Sequence, residues 1–181
     1  MKKPYAIIVG RFQPFHLGHL QAVLLASKKY KKVGIGIFHP SFGKPKKTAV
    51  FMPHAFDRKC NPFPYTLVRR MVYAALREAK IHNFMLFKFY PTMVYPFSKF
   101  RQNLPFSLKE SEFFIAKKGG SNKVMKRILE AGATYKTHAI FKSSSRTING
   151  TDIRRLYFSG SHSWERQVPP AVRRILLNWR K

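Results

Sequence analysis

The chain has 181 residues, of which 45% are hydrophobic, so it is long enough for one domain with a substantial apolar core. No stretch approaches the roughly 18–20 consecutive apolar residues of a membrane span, and the apolar run near the N-terminus is too short for a secretory signal. The single cysteine, Cys60, excludes an internal disulfide framework. We therefore expect a cytoplasmic protein that does not enter a membrane.

The balance of charges is unusual, because 35 lysines and arginines face only 7 acidic residues, which gives a net charge of +28. Most basic side chains cannot have an acidic partner, and self-repulsion is expected to oppose both folding and assembly. The basic residues are scattered over the chain, and the sequence carries no helix-turn-helix, zinc-finger or RNP signature. We favour a generally basic source proteome, with nucleic-acid binding as the alternative.

The first predicted element is a buried parallel strand over residues 5–9, rich in β-branched residues and followed by Gly10, where the chain can turn sharply. A helical pattern starts shortly afterwards. Two histidines, His16 and His19, lie at or just before the first turn of this helix, close enough to converge. Because a helix N-terminus offers unpaired N–H groups and a partial charge of about +0.5, the pattern predicts a polyphosphate site.

Two other interpretations of this histidine pair are open. Ordinary surface or core histidines have the same spacing, but the strand, the loop and the helix start around His16 and His19 all agree with a phosphate site. The spacing also suits zinc, but a third and a fourth ligand are missing nearby and Cys60 is the only cysteine.

Strands and helices alternate along the rest of the chain. The predicted elements are a strand over 32–38, a long Pro- and Lys-rich loop over 39–64, a helix over 66–80, strands over 84–90 and 112–117, a helix over 122–131 and a strand over 137–141. This order predicts an α/β fold, a Rossmann-like doubly wound parallel sheet of about five strands with helices on both faces and a small helical C-terminal segment. We expect one domain over 1–181, with its core in 1–147, and ligands at the carboxyl ends of the strands.

A second informative segment, residues 148–155, reads INGTDIRR. Asn149 or Thr151 can cap a helix here with a side-chain oxygen. Arg154 then lies on the first turns, where a cation opposes the helix dipole, so helix stability does not explain it and a bound anion would. For Arg155 we expect a solvated position.

The two segments together resemble a known family. GRFQPFHLGH at 10–19 resembles the opening of the nicotinamide-nucleotide adenylyltransferases, most closely the archaeal type, within the HxGH nucleotidyltransferase superfamily. The family also carries an I-S-x-T-x-x-R signature followed by a Gly, a Trp and a Val-Pro. The corresponding positions here are Thr151, Arg154, Gly160, Trp164 and Val168-Pro169. Asn149 stands where the family usually has Ser.

This resemblance implies transfer of AMP from ATP to nicotinamide mononucleotide (NMN), which gives NAD and pyrophosphate, with Mg²⁺ bridging the phosphate oxygens of ATP and no protein metal site. It implies that His16 and His19 hold the phosphates, His19 nearest the α-phosphoryl group, and that Arg154 holds the β,γ end with the N–H groups around Thr151. The implied ATP-binding residues are Gly10, Arg11, Phe12, Gln13, Gly18, Arg70, Gly120, Asn122, Asn149, Gly150 and Thr151.

The acceptor side departs from the family. An acidic residue and a tryptophan that the family carries after the third strand are absent, so the implied NMN contacts are the aromatic residues Tyr95, Phe97 and Phe100, which can stack on a pyridinium ring. Two alternatives therefore stay open: another phosphate acceptor, such as a flavin or pantetheine phosphate, and a basic nucleic-acid-binding protein on this fold. The resemblance also implies a homo-oligomer, a hexamer, with residues 91–114 apolar enough for an interface.

Overall fold

The computed structural model describes residues 3–39, 57–89, 104–116, 132–138, 142–143 and 146–179. Its strands are β1 (Tyr5–Gly10), β2 (Lys32–Phe38), β3 (Phe84–Phe89), β4 (Ser111–Ala116), β5 (Thr134–His138), β6 (Lys142–Ser143) and β7 (Arg146–Thr147). Its α-helices are α1 (Leu17–Ser27), α2 (Tyr65–Glu78), α3 (Gly150–Phe158) and α4 (Pro170–Trp179), with a 3₁₀ turn over Glu165–Gln167.

The main sheet has five strands in the order β3-β2-β1-β4-β5, and every neighbouring pair is parallel. This confirms the predicted Rossmann-like α/β fold. From β1 the strands are added on one side, as β2 and β3, and then on the other side, as β4 and β5. The point between β1 and β4, where this order reverses, is where ligands bind in sheets of this kind. β1 pairs with β4 only at its start, through Tyr5, Ala6 and Ile7, so the pairing stops before the carboxyl end of β1. The opening left there lies beside residues 10–16.

The alternating side chains of β1 divide the core into two parts. Ala6 and Ile8 belong to a cluster that all four described helices enter, whereas Ile7 belongs to a second cluster on the opposite face, with Phe113. The described segment at residues 104–108 packs on that second face through Leu104, Phe106 and Leu108. The helix predicted over 122–131 lies outside the described residues. Among the described helices, none combines the length and the apolarity that crossing a membrane requires.

The C-terminal helices are fixed by their ends. Asn149 caps α3 by accepting the N–H of Asp152 at 2.9 Å, and Gly160 follows α3 with a positive φ of 83°. α4 begins at Pro170, whose ring suits a first helical position, and the Glu78 carboxylate at the end of α2 accepts the N–H of Ala171 at 2.8 Å. These contacts attach the C-terminal segment to the sheet domain.

Two predictions about elements need correction. The fifth strand begins at Thr134, three residues before its predicted start at 137, and the predicted residues 139–141 lie outside the described ones. β5 is at the edge of the described sheet, and Thr134 and Lys136 are exposed, so its first half carries little apolar pattern. The two-residue strands β6 and β7 form an antiparallel pair that the sequence analysis did not predict, because such short strands have no period to detect.

Candidate active site

The loop after β1 is built around a buried aromatic residue. Phe12 has a left-handed backbone, with φ at 52°, and its ring is 1% exposed. That ring lies against Gly10, where a Cβ atom would come within 2.7 Å of it. A side chain at position 10 would therefore displace the loop, which explains the glycine at the end of β1. A non-glycine residue with positive φ is a strained conformation of the kind that clusters at functional sites.

His16 and His19 form a stacked pair at the start of α1. Their ring centroids are 3.6 Å apart, with an interplanar angle of 22°. His16 is the residue before the helix, and its backbone N–H donates to Nδ1 of His19 at 3.2 Å. In neutral His19 the proton therefore sits on Nε2, which makes Nε2 a hydrogen-bond donor. The pair confirms that the two histidines converge.

The environment of His19 disfavours the protonated form of its ring. Burial, and then the positive charges of His16 and Arg11, lower the pKa of His19 well below its ordinary value. The rings of Phe12 and Phe15 pack against it, with centroids at 4.9 and 5.6 Å. An imidazole held in this way presents one N–H in a fixed direction, and an anion that arrives there would favour protonation.

Arg154 connects the two sequence motifs. It is 8% exposed, and its Nη1 donates to the backbone carbonyl of Gln13 at 2.6 Å, while Nη2 donates to Oγ1 of Thr151 at 3.2 Å. Burial and the nearby charge of Arg11 lower the pKa of its guanidinium. Arg155, in contrast, has a 75% exposed side chain, as expected for a solvated position. A guanidinium has five N–H donors, so Arg154 keeps donors beyond these two bonds.

The first motif is also attached to residues 57–63. The Gln13 side chain donates to the carbonyl of Phe63 at 2.9 Å and accepts the N–H of Phe63 at 3.0 Å. Arg11 donates to the carbonyl of Cys60 at 3.5 Å. The carboxylate of Asp57 accepts the thiol of Cys60 and the N–H of Lys59, and these hydrogen bonds lower its pKa.

The structure brings together most of the predicted residues that it describes. Gln13 and Arg154 share a hydrogen bond, and His16 stacks on His19. The charge of Arg11 acts on both His19 and Arg154. Phe12 packs against His19 and Gly10. Gly18 lies in the first turn of α1, and Asn149, Gly150 and Thr151 form the start of α3.

Other predicted residues stand apart from this group. Arg70 is exposed on α2, and no contact described for it reaches the histidines or Arg154. The remaining predicted residues lie outside the described ones: Gly120, Asn122, Tyr95, Phe97 and Phe100, together with most of the 39–64 loop.

Two supporting aromatic residues were not predicted from the sequence. Phe15 has no exposed surface and stacks on His19, and Phe63 is 1% exposed and pairs with Gln13. A usable signal existed for both, because an aromatic residue in an otherwise polar loop indicates burial.

The donors of this site suit a ligand with negative charge. Within the described ranges, no group of three or more His, Cys, Asp or Glu side chains could hold a metal ion. The groups that converge are imidazoles, guanidinium groups and helix N–H groups, which bind phosphate oxygens. A hard divalent cation fits here only when a polyphosphate supplies its oxygen ligands.

Comparison with known proteins agrees with these observations. No protein-family model matches the chain. A nicotinamide-nucleotide adenylyltransferase of Picrophilus torridus is 27% identical over 175 residues, which cover 94% of this chain and 89% of that protein. The chain resembles the nicotinamide-nucleotide adenylyltransferases. The resemblance predicted from the two motifs is thus confirmed over nearly the whole length.

Two further proteins extend the comparison beyond this adenylyltransferase. A phosphonoformate cytidylyltransferase of Streptomyces viridochromogenes is 27% identical over 172 residues, covering 94% of this chain and 89% of its own length. The fold also matches the crystal structure of a bifunctional NMN adenylyltransferase/ADP-ribose pyrophosphatase of Francisella tularensis, with a TM-score of 0.70 and 21% identity over 98% of this chain. This chain spans 49% of that bifunctional protein.

Proposed function

We propose that this protein transfers AMP from ATP to NMN and releases NAD and pyrophosphate. The observation that carries the proposal is the 2.6 Å bond from Arg154 to the carbonyl of Gln13, which joins the two motifs at the opening beside β1. In this proposal, the imidazole and guanidinium donors from both parts of the chain bind one triphosphate. The adenylyltransferase relative, similar over 94% of this chain, supports the same reaction.

The triphosphate of ATP lies between the starts of α1 and α3 in this proposal. The Nε2–H group of His19 donates a hydrogen bond to an oxygen of the α-phosphate, with His16 beside it. Arg154 donates its remaining N–H groups to the β- and γ-phosphates. Arg11 adds positive charge on the same side. Arg154 and Arg11 supply positive charge here, which matches the negative charge that develops on phosphate oxygens in the transition state.

The chemical step needs no protein base. A phosphate oxygen of NMN, already an anion near neutral pH, attacks the α-phosphorus of ATP and forms the new P–O bond. The bond from the α-phosphorus to the bridging oxygen breaks, and pyrophosphate leaves with that electron pair. Catalysis then consists of holding the two reactants in line and stabilising charge.

We propose Mg²⁺ as the cation that accompanies ATP. When bound, it would neutralise charge on the phosphate oxygens, with water completing its coordination. The Francisella tularensis structure contains AMP and a manganese ion, which supports a divalent cation in this fold.

The remaining predicted contacts are part of the proposal. For the nucleotide these are Arg70, Gly120 and Asn122, and for the nicotinamide ring they are Tyr95, Phe97 and Phe100. Each aromatic residue is replaced by alanine in turn, and the KM for NMN is measured. The replacement that raises this KM identifies the side chain that stacks on the ring.

A pyrophosphate-release assay with ATP and Mg²⁺ tests the reaction. The acceptors are NMN, flavin mononucleotide and 4′-phosphopantetheine, each supplied alone. We expect release with NMN, together with NAD in equal amount. Release with another acceptor only would replace NMN by that acceptor, and release with none would contradict the proposed reaction.

Cytidylyl transfer is a second candidate, because the relative from Streptomyces viridochromogenes is a cytidylyltransferase of equal similarity. The same assay with CTP in place of ATP separates the two. The adenylyl assignment predicts a higher kcat/KM for ATP, and a preference for CTP would reassign the nucleotide.

We also propose that the protein acts in the cytoplasm as a homo-oligomer, a hexamer. Part of the predicted interface, at Leu104, Phe106 and Leu108, already packs inside the subunit against the second core cluster. Sedimentation equilibrium at high and low salt measures the assembly against the repulsion expected from a charge of +28.

A further inference from the structure

Gln13 is placed to act without touching a substrate. Its side chain is buried, with 3% of the residue exposed, and both ends of its amide are occupied by the main chain of Phe63. The amide nitrogen donates to the Phe63 carbonyl and the amide oxygen accepts the Phe63 N–H. One N–H and one lone pair remain on this amide, but the burial of the side chain keeps them from a nucleotide that approaches from the solvent.

The backbone carbonyl of the same residue is the docking point of Arg154. Nη1 of Arg154 lies 2.6 Å from this oxygen, and a Cβ atom at Gly150 would lie 2.9 Å from it. The start of α3 is therefore in close contact with the loop at Gln13. The position of the Gln13 carbonyl oxygen therefore sets the direction of the Arg154 guanidinium. It also sets how closely the start of α3 approaches the loop that follows β1.

We propose that Gln13 is a positioning residue: its amide pair with Phe63 holds the Gln13 carbonyl where Arg154 docks, and so aims the guanidinium at the triphosphate. The inference rests on the proposed function in one respect, the assignment of Arg154 to phosphate. It differs from the role implied by the family resemblance, in which Gln13 binds ATP itself.

The amide pair of Gln13 matters because Phe63 is itself buried among aromatic rings of the C-terminal helices. Phe63 is 1% exposed, and its ring lies in an aromatic cluster with Tyr157 of α3 at 5.7 Å and Trp179 of α4 at 5.3 Å. The loop is thus attached through Gln13 to the same C-terminal helices that carry Arg154. Loss of the amide pair would leave two buried main-chain groups of Phe63 without their partner and release the loop from this frame.

The variant Gln13→Met tests the proposal, since methionine has a similar length but no amide. We expect the folded variant to bind inorganic pyrophosphate about tenfold more weakly and to turn over about 10–100-fold more slowly, with the KM for NMN little changed. Gln167→Met, on the 3₁₀ turn, is the matched control and is expected to behave as the unaltered protein. Circular dichroism and a melting curve establish the folded fraction.

A double-mutant cycle with Arg154→Ala separates positioning from general loosening. If Gln13 acts through Arg154, Gln13→Met has little further effect on pyrophosphate binding once the guanidinium is removed. An effect that is the same in both backgrounds would overturn the proposal. The binding measurement needs no acceptor, so it decides the role of Gln13 even when NMN proves to be the wrong acceptor.

The variant Gln13→Glu gives a second test that does not depend on the fate of Gln13→Met. A protonated carboxyl group at this position can donate to the Phe63 carbonyl and accept its N–H, as the amide does, whereas a carboxylate cannot donate. We therefore expect the pyrophosphate affinity of this variant, relative to the unaltered protein, to rise as the pH is lowered from 8 to 6. A ratio that stays flat and close to one over this range would overturn the proposal.

Discussion

The starts of α1 and α3 both lie at the loop that follows β1, yet they are capped in different ways. α1 begins after His16, has no acidic residue in its first turn, and carries a capping box in which Nδ1 of His19 accepts the His16 N–H at 3.2 Å. α3 begins after Asn149, whose side chain accepts the N–H of Asp152, and Asp152 adds a carboxylate to the first turn. The first helix start is capped by imidazoles, which carry no negative charge, whereas the second has a carboxylate in its first turn.

This difference assigns separate tasks to the two motifs. At α1, helix N–H groups and the imidazole of His19 can contact phosphate directly. At α3, one N–H of the first turn is already bonded and a carboxylate opposes an anion, so attraction must come from the Arg154 guanidinium. The N–H groups around Thr151, which the family resemblance assigns to phosphate, are thus expected to be the weaker part of the proposed contact.

The largest expected effect is at the start of α1. His19→Ala removes the Nε2 donor nearest the α-phosphate, and we expect kcat to fall by about 10²–10³ while the protein stays folded. His162→Ala, which alters a 79% exposed histidine, is the control. Near-normal turnover of His19→Ala in the pyrophosphate assay would remove this residue from the chemistry.

Arg154→Ala tests the other side of the comparison. Loss of a buried, charged hydrogen-bonding group should raise the KM for ATP by about 10–100-fold. Arg155→Ala, one residue further along α3 and well exposed, is expected to leave the KM for ATP within about twofold. Steady-state kinetics of both variants decide the point, and equal effects would mean that general charge, not the site, attracts the nucleotide.

A smaller effect is expected at the cap of α3. Asn149→Ala removes the acceptor for the Asp152 N–H, which should lower the free energy of unfolding by about 1 kcal/mol in a urea titration. Asn149→Ser should restore most of it, because serine is an equally good cap. If Asn149→Ala is fully stable, the side chain is not the element that starts this helix.

The smallest expected effect is a gain in ATP affinity. Asp152→Asn removes the carboxylate from the first turn of α3 and should tighten ATP binding by about two- to fivefold at low salt, by the usual size of a charge at a helix end. The gain should shrink at high salt because this group is half exposed and screened. A weaker ATP affinity would show that the α3 start depends on Asp152 more than on its charge.

The regular elements with strong patterns were predictable from the sequence. β2 occupies residues 32–38 as predicted, and α2 begins one residue before its predicted start, because β-branched runs and an apolar helical stripe are local signals. The edge strand β5 was misplaced at its start because its exposed face is polar.

The site was predictable in part. The sequence indicated that His16, His19 and Arg154 share one site, and the bond from Arg154 to the Gln13 carbonyl joins the two motifs. The task of Gln13 was not predictable, since its partners are main-chain atoms of Phe63, and any residue type supplies those. The residue that caps α3 was not predictable either, because both Asn149 and Thr151 can cap a helix.

Titration calorimetry with ATP and with AMP, in the presence of Mg²⁺ and without acceptor, tests the shared triphosphate site most directly. The account predicts that Arg154→Ala weakens ATP binding by about tenfold or more and AMP binding by less than about twofold, because only ATP carries the β- and γ-phosphates. Equal losses for both nucleotides, or no loss for either, would contradict it.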